Sequence, residues 1–81
     1  MDDPAAAPLP SAPEWIAAFA ARLGLEAPDE ATVATLLELA GVAAHGSART
    51  AAPIACWLVG RAGADPAVAL ATARSCAGSA D

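Results

Sequence analysis

The chain predicts an all-α fold, a compact bundle of four short helices behind a disordered Pro/Ala-rich leader. Three observations predict it. Large apolar residues recur at helical spacing. Four separate capping signals punctuate the chain. Of the 46 hydrophobic residues, 26 are alanine, the residue of highest intrinsic helix propensity. The leader is expected over residues 1–10 and the four-helix domain over residues 11–78.

The same alanine content thins the core. Leu, Ile, Val and Phe together number 15 of 81 residues, just under the roughly 20% level below which chains tend to disorder. Two features hold this chain on the folded side. The net charge is only −5, and the large apolar residues cluster instead of scattering. A domain this short buries only about 60% of the surface of its unfolded chain, so a thin stability margin is expected.

Residues 1–10, MDDPAAAPLP, hold three of the seven prolines and show no apolar period. They read as a disordered or polyproline-like segment. Ser11 and Glu14 stand in the spacing of a capping box, and the first helix then presents Trp15, Ile16, Phe19, Ala20 and Leu23 on one face. Gly24 ends it. After Leu25-Glu26-Ala27-Pro28, Asp29 is the N-cap of the second helix, with Glu30 on the favourable side of its dipole. Val33, Leu36, Leu37, Ala40, Ala43 and Ala44 form the expected inner stripe, with Thr35 and Glu38 outward. Leu39 and Val42 widen the apolar face, which makes this the central helix. Gly41 is read as a point of close helix approach.

His45-Gly46 closes the second helix. Thr50 caps the third, Pro53 sits in its first turn, and Ile54, Trp57 and Leu58 are its expected inner face. Gly60 and Gly63 loosen its exit. Asp65-Pro66 opens the fourth helix, which buries Val68, Leu70, Ala71 and Cys76 before Gly78 stops it. Spacing and caps together predict helices at about 12–23, 30–45, 51–62 and 66–77. The core is expected to hold Trp15, Phe19, Leu37, Ile54, Trp57 and Leu70.

Composition excludes several functions. All four cations are arginine, against nine acids. No basic stripe exists of the kind a nucleic-acid partner requires. No stretch has the roughly 18 uninterrupted apolar residues of a membrane span, and Met-Asp-Asp-Pro lacks the positive start of a secretory signal, so a cytoplasmic location is expected. The two cysteines are read as buried thiols. In a hairpin turning near Gly63, Cys56 and Cys76 are offset by about 6 Å along the axis and by a further 8–10 Å or so between axes, beyond disulfide reach. Two cysteines and one histidine, without a CxxC, make a poor metal set.

No catalytic constellation is present: no Gly-x-Ser-x-Gly, no Gly-rich phosphate loop, no HExxH. Paired acids occur only in the leader and at a helix start. A Cys56–His45 nucleophile pair is conceivable, but Cys56 lies in an apolar helix beside Trp57, the setting of an inert thiol. The chain is therefore read as a non-enzyme with no cofactor and no metal. One corner stands apart: His45, Arg49, Pro53, Trp57 and Arg61 gather cations and an aromatic in an acidic chain. Two readings compete there. Either His45 sits at the negative C-terminus of the second helix, with Arg49 folding back on its last carbonyls and Arg61 serving the end of the third helix, or the five residues receive an acidic group of a partner protein, for which arginine is suited.

The order Trp15-Ile16, Leu36-Leu37-x-Leu39-Ala40, Val42-Ala43-Ala44-His45, Arg49-x-x-Ala52-Pro53 and Trp57-Leu58-Val59-Gly60 resembles a small uncharacterised bacterial helical domain family. In that family an Ala-His, Arg, Ala-Pro, Phe-Leu-x-Gly pattern recurs. Its members occur alone or fused to molybdenum-cofactor guanylyltransferase-like proteins of molybdopterin-guanine dinucleotide biosynthesis. The resemblance covers roughly residues 14–77, with Trp57 in place of the phenylalanine. The chain lacks the nucleotidyltransferase domain, so the resemblance implies an accessory role beside a guanylyltransferase, not guanylyl transfer. The alternative is a free-standing regulatory or assembly module unrelated to molybdenum. An acyl-carrier function is disfavoured because none of the four serines lies in the required Asp-Ser-Leu.

Overall fold

The computed structural model describes residues 8–78. They form four helices: α1 (Ala12–Arg22), α2 (Glu30–Gly46), α3 (Ala51–Ala62) and α4 (Pro66–Gly78), with no strand among the described residues. Each boundary lies within a residue of its expectation. Residues 8–10 of the expected leader are exposed and irregular, and residues 1–7 lie outside the described residues.

Local chemistry accounts for the boundaries. The capping box of α1 is complete: the Glu14 amide donates to Ser11 Oγ at 3.2 Å and the Ser11 amide to Glu14 Oε1 at 2.9 Å. At the far end Leu25 N–H reaches Ala20 O at 2.8 Å and Gly24 N–H reaches Ala21 O at 3.0 Å, a Schellman closure with Gly24 at φ 77°. Asp29 accepts from the Thr32 amide at 2.8 Å to start α2.

The end of α3 repeats the closure of α1. Ala64 N–H donates to Val59 O at 3.2 Å and Gly63 N–H to Gly60 O at 3.1 Å, with Gly63 at φ 65°. Gly63 therefore closes the helix instead of loosening it. The start of α3 also departs from expectation. Thr50 occupies the N-cap position in a helical conformation and its side chain makes no cap bond. A backbone turn leads in instead, with Ala51 N–H on Ala48 O and Ala52 N–H on Arg49 O.

The central role of α2 holds, since the close packing is α2 on α4 and α2 on α3, and α1 makes only slight contact with the other helices. Leu39 is the pivot at 1% exposure, joined in the buried class by Ala20 and Leu70. The expected core is otherwise corrected. Trp15, Phe19, Leu37, Ile54 and Trp57 are 49–68% exposed, and of the six expected core residues only Leu70 is buried. Val68 and Ala71 are exposed as well, Cys76 is exposed and Cys56 half-buried, and Thr35 is half-buried with its hydroxyl on Ala31 O.

Trp15 and Phe19 are exposed because α1 makes so little contact with the other helices, whereas on α3 the cause is the size of the contact residues. On α3 the half-buried positions are Ala51, Ala52, Ala55, Cys56 and Val59. Small side chains let helix axes approach closely and leave no room for a tryptophan between them. Gly41 takes no part in this approach, because a Cβ placed there meets nothing within 4 Å.

Three outcomes follow from this packing. Leu39→Ala should lower stability by about 2–5 kcal/mol, the range of a buried Leu→Ala change, measured by urea titration; a loss below that range would displace Leu39 as pivot. Gly41→Ala should add up to about 1 kcal/mol from helix propensity, whereas Gly63→Ala should cost about 1 kcal/mol for its left-handed conformation.

The third outcome concerns acid. Hydrogen bonds from the side chain and then the amide of Thr32 hold the Asp29 carboxyl below its ordinary value of 3.8. A depressed folded pKa stabilises above the unfolded pKa and the benefit disappears as pH falls through the folded value. Asp29→Asn keeps a capping oxygen, so its melting temperature should fall less than wild type on acidification from about pH 5 to about pH 2, the carboxylate range. Parallel curves would mean that the carboxylate charge is immaterial.

Candidate functional site

The five residues of the cationic corner separate into two groups. Pro53, Trp57 and Arg61 follow one another at one-turn intervals along α3, and Arg49 stands one further turn's length upstream in the loop that leads in. All four are exposed. Ile54 and Leu58 lie beside them on the same face and are also exposed. The outer face of α3 is thus an apolar strip centred on Trp57 and bracketed by Arg49 and Arg61.

His45 belongs elsewhere. It is exposed in the last turn of α2 and lines a shallow hollow of about 620 Å³ with Glu38, Gly41, Val42, Gly46 and Arg74. Glu38 and Arg74 are ion-paired across that hollow, tying α2 to α4. Both side chains are more than half exposed, so the pair contributes at most about 1 kcal/mol.

Arg61 and His45 do stand in the last turns of α3 and α2, where a cation faces the negative helix end, but the arginines make no capping hydrogen bond among the described residues. Among the described residues the Glu38–Arg74 contact is the one side-chain ion pair. The guanidinium groups of Arg49 and Arg61 hold neither a carboxylate nor a helix-end carbonyl, and the end of α3 is closed by the backbone of Gly63 and Ala64. Two cations therefore stand on an exposed apolar face with their donors available to an incoming carboxylate.

Sequence reasoning missed an open groove of about 560 Å³ between α2, α3 and α4. Val42, Thr50, Ile54, Leu58 and Cys76 are among its lining residues. Ile54 and Leu58 belong both to this groove and to the α3 face, so the apolar surface is continuous across the helix. The signal was present in the sequence. Positions 51, 52, 55, 56 and 59 and positions 53, 54, 57, 58 and 61 have identical helical spacing on opposite sides of α3, and the smaller residues are the ones that pack inward.

The conceivable Cys56–His45 pair gains nothing from the fold: Cys56 lies on the inner stripe of α3, and His45 faces the hollow beside Arg74. Among the described residues no group of three His, Cys, Asp or Glu side chains is placed to hold a metal ion, and no helix is long and apolar enough to cross a membrane. What the α3 face offers chemically is recognition: a flat aromatic anchor, two aliphatic neighbours and two planar cations.

No curated protein and no solved structure matches the chain. A family model does match, over residues 6–80, which takes in all four helices and the whole α3 face. The chain belongs to the family described as Domain of unknown function (DUF6457).

Proposed function

We propose that this domain is a non-catalytic accessory module of the cytoplasm that binds another protein through the outer face of α3. One observation carries the reading. In a chain of net charge −5, the segment from Ser47 to Ala62 holds two arginines and no acid, and these flank three exposed large apolar side chains. Tryptophan and arginine are the residue types that most often dominate protein interfaces, and an apolar patch rimmed by charge is the usual form of a docking surface. A partner suited to it presents an apolar helix face or loop with carboxylates at its ends.

The biosynthetic context rests on the resemblance carried by Ala44-His45, Arg49, Ala52-Pro53 and Trp57-Leu58-Val59-Gly60. It makes a molybdenum-cofactor guanylyltransferase, or a protein acting beside one, the candidate partner. The second reading is a free-standing regulatory or assembly module unrelated to molybdenum.

Titration against a molybdenum-cofactor guanylyltransferase, at low and high salt, tests both layers. Trp57→Ala should weaken binding by about tenfold or more, as for a central aromatic anchor. The Arg49→Ala, Arg61→Ala double variant should weaken it several-fold at low salt and less at high salt, with the melting temperature unchanged. Equal affinities for variants and wild type would remove the α3 face as the site. No binding by wild type would remove the molybdenum context and leave the free-standing module.

A further inference from the structure

We infer that the occupant of the α3 face is α1 of a second copy of this chain, in a two-fold dimer where each copy lays its first helix on the other's third. The inference rests on the reading of the α3 face as a docking surface and names its partner. A foreign protein with the same chemistry would then compete with α1 for that face.

The first support is that α1 has an apolar surface that the described residues leave about half exposed. Trp15, Phe19 and Leu23 recur at one-turn spacing and are about half exposed. The Trp15 and Phe19 rings stack with centroids 5.0 Å apart, inclined at 30°, which joins them into one platform. The helix itself makes only slight contact with α2, α3 and α4. An irregular stretch, residues 25–29, joins it to α2, so exchange between copies requires no rearrangement within a helix.

The second support is charge. From Ser11 to Asp29 the chain carries Glu14, Glu26 and Asp29 against Arg22, a net −2. From Ser47 to Ala62 it carries Arg49 and Arg61 alone, a net +2. The acids lie to either side of the α1 apolar strip, Glu14 in its first turn and Glu26 in the connector beyond Gly24, with Arg22 in its last turn, whereas the α3 strip has only cations beside it, Arg49 before the helix and Arg61 in its last turn.

Area is the third support. Trp15, Phe19, Leu23, Ile54, Trp57 and Leu58 are 49–62% exposed, and at roughly 150–250 Å² for each large side chain they offer on the order of 500–850 Å² per copy. A standard interface takes about 800 Å² per partner, which the neighbouring polar groups complete. Among the described residues of one copy the buried apolar residues are Ala20, Leu39 and Leu70, of which only Leu39 is fully enclosed, and no disulfide joins Cys56 to Cys76. A scaffold of this size with so small a core commonly relies on association for stability.

Sedimentation equilibrium of the full chain, from about 1 μM to about 1 mM, should show twice the 7.9 kDa chain mass. Trp57→Ala and Phe19→Ala should each raise the dissociation constant at least tenfold, with helix content checked by circular dichroism. Charge reversal supplies the control for misfolding. Glu26→Arg should weaken the dimer, as should Arg49→Glu and Arg61→Glu. Glu26→Arg combined with one of the two arginine reversals should restore it, and the arginine that does so gives the relative direction of the helices. A monomer throughout that range would overturn the inference while leaving the α3 face available to a foreign protein. A dimer indifferent to Trp57→Ala and to every charge reversal would overturn both the inference and the reading of the α3 face.

Discussion

The close approach of small side chains around α2 governs the rest of this molecule. Leu39 is the one large residue fully enclosed where α3 and α4 meet the central helix, and the α3 surface around it is built from Ala51, Ala52, Ala55, Cys56 and Val59. Interiors pack to near-crystalline density, so an interface drawn in by alanines has no space for an indole or a phenyl ring. Ile54, Trp57 and Leu58 are therefore displaced to the outside of the helix whose inner side does the packing. The exposed face and the tight core are two consequences of one choice of residue size.

That choice also explains which features were legible in the sequence. Helix boundaries follow from chemistry within three or four residues of each end, and Ser11 with Glu14, Asp29, Gly24 and Pro66 declare themselves locally. Facing depends on residues far apart in the chain. Hydrophobic periodicity on α3 offers two stripes half a turn apart, and in an alanine-rich helix both are apolar. Burial scales favour the larger side chains, which is the wrong rule when the neighbouring helix is near enough to accept only methyl groups. Leu37 on α2 is a different case, because the buried residue two positions on, Leu39, is also a leucine, so periodicity misreads its facing and not its size. Of the candidate site, the line of Arg49, Pro53, Trp57 and Arg61 was readable from spacing alone. The separation of His45 was not, because its neighbour Arg74 comes from the fourth helix.

Tryptophan on the outside is energetically informative. Burying a large apolar side chain is worth about 1.5–3 kcal/mol relative to leaving it exposed, a sizeable share of the roughly 5–15 kcal/mol that holds an ordinary domain together. In this chain both tryptophans and the single phenylalanine are about half exposed or more. Their contribution to folding in the lone chain is correspondingly small, and most of what they can contribute is realised only against another surface. A surface that covered α1 and α3 would therefore stabilise the native state by mass action, and the melting temperature would then depend on its concentration.

Charge placement decides how such a surface avoids indiscriminate adhesion. Two copies of a chain at −5 repel at long range, as do this chain and any other acidic protein, so apolar contact alone would be opposed before it formed. Arginines at both ends of the α3 strip reverse that sign locally, within a screening distance of about 8 Å. They favour only those apolar surfaces whose own ends are acidic. The apolar strip then supplies the strength of the contact and the arginines supply its register and its discrimination. From Ser11 to Asp29 the chain itself carries an apolar face in acidic surroundings, with Glu14 in the first turn of α1 and Glu26 in the connector beyond it, at a net charge of −2 over the segment.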